Sequence, residues 1–190
     1  LYSVEDGGDY FYALSNHNDA KNFKVMRFKG TDFNDIDKWQ NVLDDRETHY
    51  IEDMLTFNEF IVIQSRYDGI PIIEVFNFAD NSLNQIDMKD EVYDLGLVYN
   101  NNFDSSFFRY SYSSLKTSPQ ILKYDLYDKT NNVIWKKQVN NFIDTDYEIK
   151  RIKTLARDDT NVPVSIVYKK GLDLKNAPML IYGYGSYGIN

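Results

Sequence analysis

Glu59-Phe60-Ile61-Val62-Ile63-Gln64-Ser65-Arg66-Tyr67-Asp68-Gly69-Ile70-Pro71-Ile72-Ile73-Glu74-Val75-Phe76 is the stretch that decides the fold class. Two apolar, β-branched runs flank Asp68-Gly69, and an Asp-Gly pair supplies the positive φ angles that a two-residue hairpin turn requires. Pro71 fits at the start of the second strand, where no ladder N–H is lost. The whole composition agrees: 16 Tyr and 12 Phe stand beside only 4 Met and 4 Pro, and aromatic and β-branched residues favour strands over helices.

Upstream, 9–14 lead through the polar turn Ser15-Asn16-His17-Asn18-Asp19 to a second strand at 24–28, and 37–43 are expected to be helix-like or irregular. Downstream, strands are expected at 92–99, 107–113, 120–126 and 132–137. The Asn and Asp clusters between them, Tyr99-Asn100-Asn101-Asn102 and Tyr127-Asp128-Lys129-Thr130-Asn131-Asn132, are turns, because these side chains replace backbone hydrogen-bond partners. Short antiparallel strands joined this way build propeller blades or sandwich sheets. No sharp blade repeat chooses between them.

The character changes near residues 139–147. A second hairpin is expected from 147–156 through Arg157-Asp158-Asp159-Thr160-Asn161 to 162–168, and Pro178-Met179-Leu180-Ile181-Tyr182 is a short apolar run of the kind that forms a buried strand. Gly183, Gly185 and Gly188 formally satisfy G-x-G-x-x-G, but neither the helix nor the acidic residue of a dinucleotide fingerprint follows within the sequence. Ser186 is not a nucleophile elbow, since Tyr184 occupies the position of its first glycine.

This tail resembles the prolyl oligopeptidase family, serine peptidases made of an α/β-hydrolase domain capped by a seven-bladed propeller. The phrase from Arg157 to Lys169 is similar to the family's entry into its catalytic domain, as is Pro178 to Gly188, and Ser186-Tyr187 leans toward the oligopeptidase B (protease II) branch. Leu1-Tyr2-Ser3-Val4, Asn22-Phe23-Lys24-Val25-Met26, Ser65-Arg66-Tyr67-Asp68-Gly69 and the stretch from Ser118 to Leu126 agree more loosely. The resemblance implies a mainly β chain: a partial β-propeller of late blades, about three, over 1–142, followed over 143–190 by the first strands of a truncated α/β-hydrolase domain. It makes Tyr184 the oxyanion-hole donor of the intact enzyme, its hydroxyl directed at charge developing on the attacked carbonyl, and Tyr187 a wall of the pocket for the substrate side chain. It also implies short peptides as substrates, cut after Lys or Arg.

The resemblance ends before the family's serine, aspartate and histidine, and an oxyanion donor without nucleophile and base performs no acyl transfer. The 190 residues alone are therefore expected to be inactive. His17 sits in an Asn/Asp turn and His49 beside Arg46, Glu47 and Tyr50, without serine context. Asp32, Asn34, Asp35 and Asp37 miss the full calcium-loop pattern, so no metal and no cofactor is expected. The alternative to a peptidase fragment is a propeller-like binding or structural module without catalysis.

A net charge of −8 and isolated Lys pairs, 136–137 and 169–170, disfavour nucleic acid. The absence of cysteine excludes disulfides, thiolate nucleophiles and Cys-ligated metals. No stretch approaches a membrane span, and no targeting segment is visible, so a cytoplasmic, membrane-free chain is expected. Its start at Leu1 rather than Met is expected of a fragment. An incomplete ring leaves strand edges open, and self-association through them is expected.

Overall fold

The computed structural model describes residues 2–184. Twelve strands form three consecutive four-stranded antiparallel meanders. The first contains β1 (Tyr2–Asp6), β2 (Phe11–Ser15), β3 (Lys24–Phe28) and β4 (Gln40–Leu43). The second contains β5 (His49–Thr56), β6 (Phe60–Tyr67), β7 (Ile70–Asn77) and β8 (Leu83–Gln85). The third contains β9 (Asp94–Leu97), β10 (Phe107–Ser113), β11 (Gln120–Asp125) and β12 (Asn131–Lys136). Each sheet keeps its strands in chain order, the connectivity of a propeller blade. A separate hairpin follows, β13 (Tyr147–Leu155) with β14 (Asn161–Lys169), paired from Tyr147↔Lys169 to Leu155↔Asn161.

The deciding hairpin forms as its residues dictate. Asp68 and Gly69 take φ of 49° and 78°, and Tyr67 pairs with Ile70 across the turn. Pro71 then faces Arg66 at the next position of the ladder, where an antiparallel pair exchanges no N–H···O bonds. On the other side β8 reaches only as far as Glu74, so the missing N–H costs nothing there either.

The cores lie between sheets. In β6, Phe60 and Val62 enter one cluster with Phe108, Tyr110, Tyr112 and Leu122 of the third sheet, whereas Ile61 and Ile63 enter another with Tyr12, Leu14 and Val25 of the first. The middle blade is thus covered on both faces, the reason its strands are nearly continuous apolar runs. Phe11, Ala13, Met26 and Phe28 on the far face of the first sheet are covered by Trp39, stacked on Phe28 at 4.1 Å. Burying one large side chain such as Phe108, at 0% exposure, contributes roughly 1.5–3 kcal/mol.

Two expectations are corrected. The helix-like patch at 37–43 holds only a 3-10 turn, Ile36–Lys38, before β4 pairs with β3, because the ladder of β3 supplies backbone partners that a short polar helix lacks. The apolar run at 178–182 is neither strand nor buried: Met179, Leu180, Ile181 and Tyr182 are 79–93% exposed. A buried strand needs neighbours on both edges and cover on both faces, and among the described residues nothing supplies them.

Candidate functional site

Three places on the described chain gather polar groups that geometry could put to use. At the blade connection of the first and second sheets, Arg46 Nη1 and Nη2 donate to Glu74 Oε1 and Oε2 at 2.7 and 2.6 Å, and Ser65 Oγ donates to Glu74 Oε2 at 3.0 Å. Glu74 is 4% exposed, and a bidentate fork of this kind is the strongest charge-assisted arrangement available to a carboxylate. His49 lies alongside: its ring stacks on Tyr67 at 4.8 Å and its Nδ1 meets Thr48 Oγ1 at 2.9 Å. Burial, then the Arg46 charge, hold its imidazole below the ordinary range against the opposing pull of Glu74.

In the third blade the Asp90 carboxylate accepts hydrogen bonds from Tyr112 Oη and Thr117 Oγ1, both at 3.0 Å, and faces Lys116 Nζ at 3.3 Å. Burial pushes this carboxyl up, but the bonds from Ser114, Thr117, Tyr112 and Lys116 overcome it and hold it below the usual range. On Tyr112, burial and the nearby carboxylate both push the phenol up. The group is a closed structural knot with its acceptors occupied.

The third place is a cavity of about 490 Å³ where the first two blades meet the β9–β10 connection of the third, lined by Tyr10, Tyr12, Arg27, Asn41, Phe78 and Phe103 among others. Arg27 lies over the Tyr10 ring at 4.6 Å and its Nε donates to Gln40 Oε1 at 3.1 Å. These residues come from separate strands and loops, and no local spacing in the sequence links them.

Among the described residues, those singled out from sequence form no catalytic constellation. Tyr184 is 57% exposed, and among the described residues its hydroxyl has no hydrogen-bond partner. Tyr187 and Ser186 lie outside the described residues. Among the described residues no serine hydroxyl is bonded to an imidazole; the His17 backbone N–H donates to Ser15 Oγ at 3.1 Å, an ordinary turn contact. No group of three or more His, Asp or Glu suited to a metal occurs among them, and Asp35 is engaged with Lys38 at 3.1 Å. No described helix is long and apolar enough to cross a membrane.

Comparison with known proteins places this architecture. Residues 1–138 match the family model described as prolyl oligopeptidase, N-terminal beta-propeller domain. The whole chain aligns with dipeptidyl aminopeptidase BI of Pseudoxanthomonas mexicana at 30% identity and with Protease 2 of Moraxella lacunata at 29%, covering 26% and 27% of those proteins. The structure superposes on oligopeptidase B from Trypanosoma brucei with a TM-score of 0.82 at 26% identity, over 92% of this chain and 26% of that one. The chain therefore spans about a quarter of the length of the relatives it matches. Three sequential meanders in an unclosed array form a partial β-propeller. On the match over 1–138 and the fold it predicts, the chain belongs to the prolyl oligopeptidase family.

Proposed function

We propose that this chain is part of a serine oligopeptidase of the oligopeptidase B branch that hydrolyses short peptides after Lys or Arg. On this reading 1–142 are late propeller blades, and 143–190 open the α/β-hydrolase domain with the hairpin β13–β14. The observation that carries the proposal is continuity: the alignment to peptidase relatives runs through the whole chain, past the propeller match that ends at residue 138. Tyr184 is the oxyanion-hole donor of the intact enzyme. Tyr184 is not buried among the described residues, which leaves it available for that task. Tyr187 lines the pocket for the substrate side chain.

A second reading, a propeller-like module that binds without catalysis, draws on the cavity beside Arg27 and Tyr10 and on the lack of a hydroxyl–imidazole pair of serine-peptidase type among the described residues. Hydrolysis of short fluorogenic Arg and Lys peptides by a form that carries the nucleophile separates the two. The 190-residue chain alone should show no turnover, and inhibitor-sensitive turnover by it would overturn the missing-triad argument. In a form that carries the nucleophile, Tyr184→Phe should lower kcat by about 10²–10³ with little change in KM. An unchanged kcat there would remove Tyr184 from the oxyanion hole.

A further inference from the structure

The cavity at Arg27 is built by the blades themselves. Arg27 pairs with Tyr12 on one side and Gln40 on the other, and directly paired residues of an antiparallel sheet share a face. That face is the one whose Tyr12 and Leu14 pack against Ile61 and Ile63 of the second sheet. The β1–β2, β5–β6, β7–β8 and β9–β10 connections bring Gly8, Asn58, Asn81 and Phe103 around it, at the end of the strands away from the Asp68-Gly69 turn. The cavity therefore draws on surfaces that adjacent blades turn toward one another, not on the outer faces of the first and third sheets.

Its walls are aromatic and held in place. Tyr12 is buried and stacks on Phe78 at 5.4 Å, and its ring edge takes the space that a Cβ on Gly7 would need, 2.3 Å away. The Phe103 ring lies against Gly8, 3.5 Å from where a Cβ would stand. Against these rings lies a cation without a counter-ion. The Arg27 guanidinium is 4.6 Å from the Tyr10 centroid, and Lys29 Nζ is 5.8 Å from the same ring. Arg27 Nε donates to Gln40 Oε1, and burial pushes the Tyr12 phenol up against an opposing hydrogen bond from Arg27, so the five-donor guanidinium keeps N–H groups unspent. Among the described residues no carboxylate pairs with Arg27 or Lys29. Asp9 also lines the cavity without forming such a pair, although acidic residues outnumber basic ones 29 to 21.

We propose that this cavity is a binding site for a small aromatic carboxylate, with the carboxylate on the remaining N–H donors of Arg27 and the ring against Phe103 and Phe78. Its volume of about 490 Å³ falls within the roughly 300–1,000 Å³ of small-molecule sites. A planar guanidinium takes a carboxylate through parallel N–H···O bonds. The Tyr10 face and Gln40 hold the guanidinium before any ligand arrives, so little side-chain freedom is lost on binding. The inference holds whether or not the chain is part of a peptidase.

Phenylacetate titrated into the 190-residue chain and followed by saturation-transfer NMR should bind saturably, and phenylacetamide, which has the same shape without the charge, about tenfold more weakly. Acetate, with the charge but no ring, should compete poorly with phenylacetate. Arg27→Gln should bring phenylacetate down to the level of phenylacetamide, whereas Lys169→Gln, which removes the same charge elsewhere, should change neither. Phe103→Ala, which removes a wall and keeps the cation, should weaken both probes alike. Equal affinity for phenylacetate and phenylacetamide in the unmodified chain would overturn the proposal without recourse to any variant, as would the absence of saturable binding at millimolar phenylacetate. So would an Arg27→Gln chain, folded by its cooperative thermal transition, that still prefers the carboxylate, because the preference would then arise outside this cavity.

Discussion

Arg46→Ala tests the energetic logic of the blade connection most directly. The substitution removes both donors of the fork on Glu74, at 2.7 and 2.6 Å, and leaves a carboxylate only 4% exposed with the Ser65 hydroxyl as its remaining side-chain donor. Stranding one partner of a buried ion pair costs about 3–5 kcal/mol. The lower half of that range applies, because the Arg46 side chain is itself 25% exposed and its removal admits water to the carboxylate. The backbone contacts survive, since Asn22 Nδ2 and the His49 N–H both bond the Arg46 carbonyl rather than its side chain. The loss should lower the urea midpoint at unchanged slope, and Tm by roughly 10 °C for a chain of this size. A companion variant, Arg46→Met with Glu74→Leu, replaces the pair by apolar groups of similar volume and should recover most of the loss. If Arg46→Ala costs under about 1 kcal/mol, or the apolar pair is no better than the single variant, the pair is not functioning as a buried one and the argument fails.

Asp90→Asn should destabilise by roughly 1–3 kcal/mol at neutral pH through loss of the charge that Tyr112, Thr117 and Lys116 satisfy. Because the folded carboxyl sits below its ordinary range, its contribution is complete above the unfolded pKa and is lost as pH falls through the lower folded value. Urea midpoints of wild type and variant should therefore converge in acid, and a gap independent of pH would refute the assignment. Gly7→Ala should cost about 1–3 kcal/mol by overpacking. A Cβ at position 7 would lie 2.3 Å from the Tyr12 ring, which is held by stacking on Phe78; an unchanged thermal midpoint would show that the ring gives way freely.

How far the fold was legible depended on whether a strand carries its own signal. The hairpin of β6 and β7, the strands β10 to β12 and the hairpin β13–β14 announce themselves by aromatic and β-branched runs bounded by Asp, Asn and Gly. The turn chemistry is local as well: the Asp125 carboxylate accepts the Tyr127 and Asp128 N–H groups, which hold it below the usual range. Strands β1, β4, β5 and β8 gave no such signal. Every residue of β1 is exposed and β8 has three residues. In β5 a register shift between Ile51 and Asp53 breaks the alternation, with Glu52 turned to Arg66 at 2.8 Å and to Gln64. Edge strands form because a neighbour's ladder needs partners, a demand that lies in another part of the chain.

The candidate site divides in the same way. Tyr184 stands out in sequence because glycines surround it, and the polarity of the Asn and Asp turns is equally plain there. The Arg46–Glu74 fork, the Asp90 knot and the cavity at Arg27 join residues 13 to 28 positions apart or gather them from several strands. Periodicity and turn chemistry act over a few residues and so determine hairpins. Stacking the sheets face to face decides which of those hairpins share a core and which charges meet, since only the tertiary arrangement removes the water between them.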